Sequence, residues 1–352
     1  MADILYIKSA NSSFINLDEE ILTKHFSVKS FLLNQKGLGN FSWSLIKMKI
    51  FLLINIWSCQ IIFIRFCDYY AAILAFFCKI FNKKLVIVVG GYDAVHMPEY
   101  QYGAYHNKFR GWCVKFAYKN AALILPNNPT LIENINDYDN EIIRKEGVKH
   151  FVPDTKAKFK VIYNGFKLDF WNKTTNFAKD ENLAITVAYI DNYKTFQLKG
   201  IDSFIEIAKQ LTEKKFLIIG MSTDFANKNN IVIPSNLKLI QKMNQQGLIE
   251  YYQKAKVFCL FSLTEGMPNV LCEAMLCKCI PVGSKVNAIP EIIGNTGFIV
   301  EKKELTFMKS ALNKAFESNI YLGELAKQRI IENYSFEKRE KELVETLKEY
   351  LK

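Results

Sequence analysis

The stretch "FSLTEGMPNVLCEAML", residues 261–276, places two glutamates eight positions apart, one on each side of a turn that contains glycine and proline. Glu265 stands in the turn, and Glu273 stands in an apolar run that predicts a helix after Pro268. Proline suits the start of a helix, and Asn269 is a candidate cap. Because a helix N-terminus carries partial positive charge and free N–H groups, this stretch is suited to binding a phosphate.

The two carboxylates suit the groups that a phosphate carries. Glu273 lies about one turn into the predicted helix, where it can accept hydrogen bonds from neighbouring hydroxyls of a ribose. Glu265 can accept from hydroxyls of a sugar, and Gly266 lets the backbone come close to a ligand. The alternative is an exposed turn glutamate and a helix-surface glutamate, the latter with a favourable dipole interaction of ~0.3–1 kcal/mol.

Short apolar runs alternate with helical patterns on both sides of this stretch. The predicted strands of the first half are "DILYIK", "FSVKSFLL", "QIIFIRF", "KLVIVVGG" and "AALILPN". Those of the second half are "LAITVAYI", "KKFLIIG", "LKLIQK", "KVFCLFS" and "CIPVGS". Continuous apolar strands that alternate with helices are typical of parallel sheets built from βαβ units. The sequence therefore predicts an α/β protein with two Rossmann-like, doubly wound domains.

A polar segment with few periodic positions separates the two series and predicts a linker at residues 166–182. The first domain is then residues 1–165 and the second is residues 183–333. Residues 334–352 form an amphipathic pattern, which predicts a final helix packed on the first domain. Two such domains are expected to face a cleft, with ligands at the carboxyl ends of the strands.

Composition restricts the class of protein. Half of the 352 residues are apolar, and none of the eight cysteines forms a CxxC pair, which indicates buried, reduced thiols in the cytoplasm. The start of the chain lacks the basic, apolar pattern of a signal peptide. In the most apolar region of the chain, the longest uncharged run is residues 50–64, which is shorter than the ~18–20 residues of a membrane-spanning helix.

Positive charge is concentrated in the first half of the chain. The net charge is +11, and residues 1–170 contain 21 Lys and Arg against 14 Asp and Glu. This excess is compatible with an anionic membrane surface, a phosphorylated substrate or nucleic acid. Because the sequence has no zinc finger, RNP or KH motif, we do not expect a nucleic-acid partner. A nicotinamide-dependent enzyme is disfavoured because no strand is followed by G-x-G-x-x-G.

The stretch "TEGMPNVLCEAMLCKCIPVGSKVNAIPEIIGNTGFIV" resembles the signature of the group 1, or family 4, retaining glycosyltransferases of the GT-B fold. "VIYNGFKLDFW", "LKGIDSFIEIAKQL" and "GLIEYYQKAKVFCLFSLTEG" resemble further elements of that family. The resemblance is dense over residues 160–300 and looser over the first domain. It implies a transferase, hexosyltransferase-like, that moves a sugar from a nucleoside-diphosphate sugar to a hydroxyl acceptor.

The resemblance also implies roles for individual residues. The glutamate that matches Glu265 holds hydroxyls of the donor sugar, and the one that matches Glu273 holds the nucleotide ribose. The lysine that matches Lys199 contacts the diphosphate, where a compact positive charge is chemically suited to a leaving phosphate. Residues 266–269, which are Gly266, Met267, Pro268 and Asn269, complete the expected donor site. No metal and no other cofactor are expected, since the sequence shows no Asp-x-Asp element.

Three departures from the family pattern leave alternatives open. The family often has an arginine before its lysine; here Lys194 either replaces it or is a solvated loop charge. "SANSSF" stands where the family has a glycine-rich loop, so Asn11, Ser12 and Ser13 either bind phosphate or acceptor or form an ordinary helix cap. Lys278 replaces a glycine after the helix, at a small cost of ~1 kcal/mol for a left-handed cap.

The first domain presents a second set of candidates after the strand "KLVIVVGG". Tyr92 and Asp93 are candidate contacts for the acceptor, and His96 is a candidate contact for a sugar hydroxyl or a β-phosphate. A surface histidine is the alternative for His96.

The segment "YHNKFRGWCVKFAYKN" is basic and aromatic. It predicts either a helix that contacts an anionic membrane or a helix packed on its sheet with snorkelled lysines.

The sequence therefore predicts a retaining glycosyltransferase in bacterial surface-polysaccharide or glycolipid biosynthesis. Its expected partners are a nucleotide-sugar donor and a glycan or lipid-linked acceptor. Its expected location is the cytoplasm, with peripheral contact at the inner face of the plasma membrane. The alternative is a non-catalytic protein that binds nucleotide sugars or glycans on the same scaffold.

Overall fold

A computed structural model describes residues 3–139, 142–171 and 177–351 of the chain. These residues form two compact units. Unit 1 contains the described residues within 1–135, 145–165 and 337–352, and unit 2 contains those within 136–144 and 166–336. The expected first domain, residues 1–165, thus differs in one segment, since residues 136–144 group with unit 2. Residues 172–176 of the predicted linker lie outside the described residues.

The strands, numbered in chain order, lie in both units. They are β1 (Ile4–Lys8), β2 (Val28–Leu32), β3 (Ile61–Arg65), β4 (Lys84–Val89), β5 (Leu123–Pro126), β6 (Asn134–Asn136), β7 (Arg144–Glu146), β8 (Lys158–Phe159), β9 (Asp180–Val187), β10 (Lys215–Ile219), β11 (Leu237–Ile240), β12 (Ala255–Leu260), β13 (Ile280–Ser284) and β14 (Phe298–Val300). Every strand predicted from an apolar run is present, which follows from the continuous burial of residues such as those of β3 and β12.

The α-helices follow the same numbering. They are α1 (Ser13–His25), α2 (Leu38–Asn55), α3 (Tyr69–Ile80), α4 (Lys108–Asn120), α5 (Val148–Phe151), α6 (Leu168–Trp171), α7 (Tyr193–Leu198), α8 (Ile201–Gln210), α9 (Thr223–Lys228), α10 (Gln245–Lys254), α11 (Asn269–Leu276), α12 (Ile289–Ile293), α13 (Leu305–Glu317), α14 (Tyr321–Asn333) and α15 (Phe336–Tyr350). Within the described ranges, none of these helices has the length and apolar character needed to cross a membrane.

Each unit is built on a parallel six-stranded sheet. The strand order is β2-β1-β3-β4-β5-β8 in unit 1 and β11-β10-β9-β12-β13-β14 in unit 2. The order reverses between β1 and β3 in the first sheet and between β9 and β12 in the second. Such reversal points open a crevice at the carboxyl ends of the strands, where doubly wound proteins bind ligands. The predicted α/β class with two doubly wound units is confirmed.

Three helices of unit 1 pack on one face of its sheet. Buried residues of α2, α3 and α4 join side chains of β1, β3, β4 and β5 in a single cluster. The short strand β8 extends this sheet at β5. The eight cysteines are buried and free, as the sequence predicts.

The C-terminal helix lies in unit 1 from Glu337 onward. Arg339 of α15 donates to Asp18 Oδ1 of α1 over 2.6 Å and to the carbonyl oxygen of Tyr163 over 2.6 Å. Asp18 also accepts from Arg65 Nη1 over 2.7 Å. All three charged side chains are buried. One carboxylate between two guanidinium groups therefore holds α15 in place.

Candidate active site

Glu265 lies in the loop between β12 and α11, and its carboxylate is fixed by neighbours within unit 2. Lys199 Nζ is 2.6 Å from Glu265 Oε1, and Ser262 Oγ donates to the same oxygen over 2.7 Å. The backbone N–H of Glu265 donates to Asn287 Oδ1 over 2.9 Å. Among the described residues no donor contacts Glu265 Oε2, so one carboxylate oxygen is anchored and the other is available to a ligand.

Lys199 reaches Glu265 because two loops of unit 2 pack closely together. Lys199 directly follows α7, and Leu263 N donates to Leu198 O over 2.9 Å. Gly200 has a φ of +63°, and a Cβ placed on it would lie 2.1 Å from Phe261 O. Glycine is therefore required here, both for the left-handed backbone and for the close approach of the loop after β12.

The pair occupies the reversal point of the second sheet. Lys199 follows β9 and Glu265 follows β12, and these two strands are neighbours in register, with Val257 opposite Ala184. The lysine side chain is 34% exposed and the glutamate side chain is 10% exposed. Three N–H donors are available on an ammonium group, so Lys199 can bind an anion while it contacts Glu265. The site thus combines a partly exposed cation with an anchored carboxylate.

The start of α11 corrects one expectation about its cap. The helix begins at Asn269, and the residue at the cap position is Pro268 rather than Asn269. The backbone N–H of Leu271 donates to Pro268 O over 3.2 Å. Gly266 and Met267 are buried, whereas Asn269 is half-buried. The first turn of α11, which is the predicted anion-binding position, directly follows the loop that carries Glu265.

Glu273 is 3% exposed and lies in the second turn of α11. Its Oε1 accepts from Gln245 Nε2 over 2.7 Å, and its Oε2 accepts from Tyr252 OH over 3.4 Å. Burial raises the pKa of Glu273 to about 7, and the hydrogen bonds from Gln245 and Tyr252 lower it in part. A half-buried Gln245 therefore covers the carboxylate that the sequence assigns to a ribose.

Two further positions in unit 2 were singled out by the sequence. Lys194 lies in α7, five residues before Lys199, and its side chain is half-buried. Lys278 has a φ of +63°, which is the left-handed conformation expected for a residue that replaces glycine after α11. The assignment of Lys194 as the substitute for a missing arginine stays a prediction.

In unit 1, residues 11–13 lie at the start of α1. Ser12 occupies the cap position, with extended backbone and no hydrogen bond from its side chain to the helix. Its Oγ has no partner among the described residues, and Asn11 and Ser13 are exposed. The ordinary side-chain cap is therefore not formed, and the role of these residues as acceptor contacts stays a prediction.

Asp93 has a different place from the one expected. Its carboxylate accepts from Cys67 N over 2.9 Å, from Gly91 N over 3.1 Å and from Tyr118 OH over 3.0 Å. The residue has no exposed surface, and burial raises its pKa. Asp93 therefore braces the loop after β4, and the expectation that it contacts an acceptor directly is corrected on this ground.

Tyr92 and His96 flank this braced residue. The hydroxyl of Tyr92 accepts a hydrogen bond from Arg110, whose Nε lies 3.1 Å from Asp68 Oδ1. His96 is half-buried, and its ring centroid is 6.3 Å from that of His106. Desolvation lowers the pKa of His96, and His106 lowers it further. A neutral imidazole at His96 can both donate and accept a hydrogen bond.

Sequence reasoning missed the residues that support the two glutamates. Ser262 and Asn287 fix Glu265, while Gln245 and Tyr252 contact Glu273. Ser262 is three residues from Glu265, but the other supports come from separate elements. Asn287 adopts a φ of +43°, a left-handed conformation that asparagine tolerates better than most residues.

Part of the chain is similar to a described protein family and to curated proteins. Residues 184–318 match the family model described as "Glycosyl transferases group 1". N-acetyl-alpha-D-glucosaminyl L-malate synthase of Bacillus anthracis is 27% identical over 185 residues, which cover 49% of this chain and 47% of that protein. An uncharacterized glycosyltransferase of Haemophilus influenzae is 26% identical over 175 residues, which cover 46% and 48%. The chain thus spans about half the length of the curated relatives it matches.

Solved structures resemble the whole chain. Sucrose-phosphate synthase from Thermosynechococcus elongatus has a TM-score of 0.75 at 14% identity, with 99% of this chain and 98% of that chain covered. Anabaena HepE, solved in complex with UDP-glucose, has a TM-score of 0.70 at 14% identity, with 99% and 100% covered. At this level of identity the likeness establishes the fold. Residues 184–318 are therefore similar to a glycosyl transferases group 1 domain, on a scaffold with the GT-B fold.

Proposed function

We propose that this protein is a retaining glycosyltransferase that moves a sugar from a nucleoside-diphosphate sugar to a hydroxyl acceptor. The observation that carries the proposal is the pair of Lys199 and Glu265 at the reversal point of the second sheet, 2.6 Å apart. The complex of Anabaena HepE with UDP-glucose supports a nucleotide-sugar donor on this fold. The group 1 domain supports the transfer reaction.

Each residue of the site has a defined task in this proposal. Glu265 binds hydroxyls of the donor sugar through Oε2, because Oε1 is held by Lys199 and Ser262. Lys199 and the N-terminus of α11 stabilise the charge that develops on the leaving diphosphate. Glu273 binds the ribose once Gln245 moves aside. Lys194 is the further cation proposed for the diphosphate.

The transfer step balances without a covalent enzyme intermediate. The acceptor oxygen forms a bond to the anomeric carbon on the face from which the diphosphate leaves. The bond between that carbon and the phosphate oxygen breaks, and the acceptor proton moves to the departing phosphate. Lys199 lowers the barrier because its charge is fixed before the negative charge develops.

The proposal assigns the acceptor to unit 1. Asn11, Ser12, Ser13 and Tyr92 are the proposed acceptor contacts, and His96 is proposed to contact the donor sugar. Asp93 supports His96 and Tyr92 through the loop it braces. We propose a glycan or lipid-linked acceptor in bacterial surface-polysaccharide or glycolipid biosynthesis, and a cytoplasmic enzyme with peripheral membrane contact.

A panel of labelled nucleoside-diphosphate sugars tests the function. The protein is incubated with each donor and with p-nitrophenyl glycosides as acceptors, and release of the nucleoside diphosphate is measured. We expect turnover with at least one donor, and product whose anomeric configuration by NMR equals that of the donor. We also expect no loss of rate in excess EDTA. Inverted product contradicts retention, and rate lost with EDTA and restored by a divalent cation contradicts metal independence.

The variant Glu265→Ala separates an enzyme from a binding protein. Loss of charge-assisted hydrogen bonds, worth ~1.5–3 kcal/mol each, lowers kcat by about 10- to 150-fold. Glu206→Ala, on the exposed side of α8, is the matched control and retains the parental rate. Tight binding of a donor without diphosphate release by the parent protein indicates the non-catalytic alternative. Parental kinetics in Glu265→Ala contradict the site assignment.

A further inference from the structure

The outer face of α2 in unit 1 is apolar, although it faces water. The buried stripe of this helix consists of Ser44, Met48, Leu52 and Asn55. The opposite face carries five large apolar side chains that are between 45% and 70% exposed, namely Trp43, Ile46, Ile50, Leu53 and Ile54. A surface helix normally presents polar residues on this side. The face therefore requires an explanation other than packing within the unit.

The apolar surface continues from α2 towards the end of α3. Trp57, just after α2, is 73% exposed, and its ring centroid is 5.0 Å from that of Phe81. Phe76 and Ile80 of α3 are also exposed. These exposed side chains together form what we name the α2–α3 surface: Trp43, Ile46, Ile50, Leu53, Ile54, Trp57, Phe76 and Ile80. Isolated exposed apolar side chains are normal on a monomer, but a concentration of eight on two successive helices is typical of an interaction surface.

Positive charge borders this surface and negative charge is missing from its sequence. Lys47 and Lys49 stand on either side of the buried Met48, each about 100° from it around the helix. They therefore flank the exposed apolar face on both sides. Residues 21–67 contain six Lys and Arg and no Asp or Glu. Among the described residues, no carboxylate pairs with Lys47 or Lys49.

This combination fits lipid better than a second copy of the chain. Lysine is depleted at protein–protein interfaces, whereas tryptophan and aliphatic side chains with flanking lysines are typical of helices that lie in a membrane interface. The helix α4, for which the sequence left membrane contact and packing on the sheet as alternatives, has two cations in ion pairs. Arg110 contacts Asp68 at 3.1 Å, and Lys119 contacts Asp154 at 2.6 Å.

We propose that the α2–α3 surface docks on the headgroup region of a bilayer that contains anionic lipid. The apolar side chains enter the boundary between headgroups and acyl chains, and Lys47 and Lys49 contact lipid phosphates. This inference deepens the proposed function by naming the surface that meets the membrane. It is tested without donor or acceptor, so its failure is distinct from a failure of the transfer assay.

Vesicle sedimentation measures the docking directly. The full chain is mixed with phosphatidylcholine vesicles or with vesicles that contain phosphatidylglycerol as well, and the bound fraction is measured. We expect the anionic vesicles to bind more strongly, and high salt to weaken the binding. Ile50→Gln with Ile54→Gln lowers the partition coefficient about tenfold or more through lost apolar burial. Lys47→Gln with Lys49→Gln lowers it roughly 30-fold.

Tryptophan fluorescence locates the docked surface. Emission shifts to the blue when tryptophan leaves water, and we expect this shift when the parent protein binds anionic vesicles. Trp43→Phe with Trp57→Phe removes the shift, whereas Trp112→Phe, on α4, retains it. The reverse pattern assigns docking to α4 and overturns the proposal.

Matched controls separate docking from folding and from self-association. Val232→Gln changes an apolar side chain in unit 2 that is 72% exposed, and it retains parental vesicle binding. Circular dichroism of all variants should match the parent, because the changed side chains are exposed. Light scattering without lipid should give a monomer. A parental dimer that the α2 variants dissociate identifies a self-association face, and no binding to anionic vesicles also overturns the proposal.

Discussion

The two units use the same sheet architecture for different purposes at the point where the strand order reverses. In unit 2 this point holds Lys199 and Glu265, whose side chains are 34% and 10% exposed. In unit 1 the corresponding edge, after β1 and β3, is occupied by the buried side chains of Asp18 and Arg65 together with Arg339 from α15. The charged groups of unit 2 are thus open to a ligand, whereas those of the cluster in unit 1 are engaged by the chain itself.

The chemistry of the two clusters explains this difference. In unit 1, the guanidinium of Arg339 also donates to backbone carbonyl oxygens, and Arg65 also contacts Phe14 O and Asn164. These protein partners take most of the donors of both guanidinium groups. In unit 2, Glu265 Oε2 and part of the Lys199 ammonium have no partner in the described part of the chain. In both units, charged side chains lie near the reversal point of the sheet. In unit 1 they bind Arg339 of α15, whereas in unit 2 they keep atoms available to a ligand.

Removing the carboxylate of the unit 1 cluster should have the strongest effect on stability. Asp18→Ala leaves two buried guanidinium groups without their counter-charge, which lowers the free energy of unfolding by about 3–5 kcal/mol. Urea unfolding followed by fluorescence in a Trp171→Phe background reports on unit 1, because Trp43, Trp57 and Trp112 all lie there.

The control for Asp18→Ala is an exposed ion pair of the same unit. Asp154 lies 2.6 Å from Lys119 and is 62% exposed. Asp154→Ala should leave the free energy of unfolding close to the parental value, because exposed ion pairs contribute little. Similar values for the two variants would show that the buried cluster does not hold unit 1 together.

Removing the cation of unit 2 should instead affect turnover. Lys199→Ala lowers kcat by about 10²–10³, because a preorganised donor to the leaving diphosphate is lost. The free energy of unfolding should stay close to the parental value, since the pair is partly exposed and Ser262 still contacts Glu265. Lys209→Ala, in the exposed pair with Glu206 on α8, is the control and keeps the parental kcat. A large loss of stability with unchanged kcat would make Lys199 a structural residue.

The buried Glu273 should make the stability of the protein depend on pH. Its pKa is raised to about 7 in the folded protein, so the unfolded chain loses this proton at lower pH than the folded one. The contribution of Glu273 to stability is thus complete at pH 4 and decreases as the pH rises to about 7, by up to ~3 kcal/mol. Glu273→Gln removes this decrease, so the variant gains stability relative to the parent between pH 4 and pH 8.

Thermal unfolding at several pH values and donor titration check this prediction together. The affinity of the parent for the donor should rise between pH 6 and pH 8, because an ionised carboxylate is the better acceptor for ribose hydroxyls. Glu273→Gln should show weaker binding with a flat pH profile over this range. Parallel stability profiles of parent and variant would mean that the pKa of Glu273 is the same in the folded and the unfolded protein.

The sequence predicted the strands well because burial on both faces of a parallel sheet leaves a continuous apolar run, as in β3 and β12. Helices leave a weaker signal than these strands. The helix α14 buries Gly323, Ala326 and Ile330, so few large apolar residues mark its inner face in the sequence.

The site was predictable only in part. Glu265 and Glu273 share one loop and helix, so their spacing carried a local signal. The pairing of Glu265 with Lys199, 66 residues away, depends on which strands become neighbours. The family resemblance assigned both residues to the donor site but did not predict their contact. The contact between Asp18 and Arg339 joins residues 321 positions apart and left no local pattern. The same holds for Gln245, whose contact with Glu273 comes from a separate helix.

Changing Gly200 tests the backbone that brings Lys199 and Glu265 together, and its effect should be smaller than those above. Gly200→Ala places a Cβ 2.1 Å from Phe261 O at a φ of +63°, so the loop after β12 must shift. We expect the free energy of unfolding to fall by about 1–2 kcal/mol and kcat/KM to fall about tenfold. Gly39→Ala, in α2 with no atom within 4 Å of its Cβ, should be neutral or stabilising. If Gly200→Ala lowers stability alone, the distance between Lys199 and Glu265 does not limit turnover, and the charged pair of unit 2 tolerates more movement than the buried cluster of unit 1.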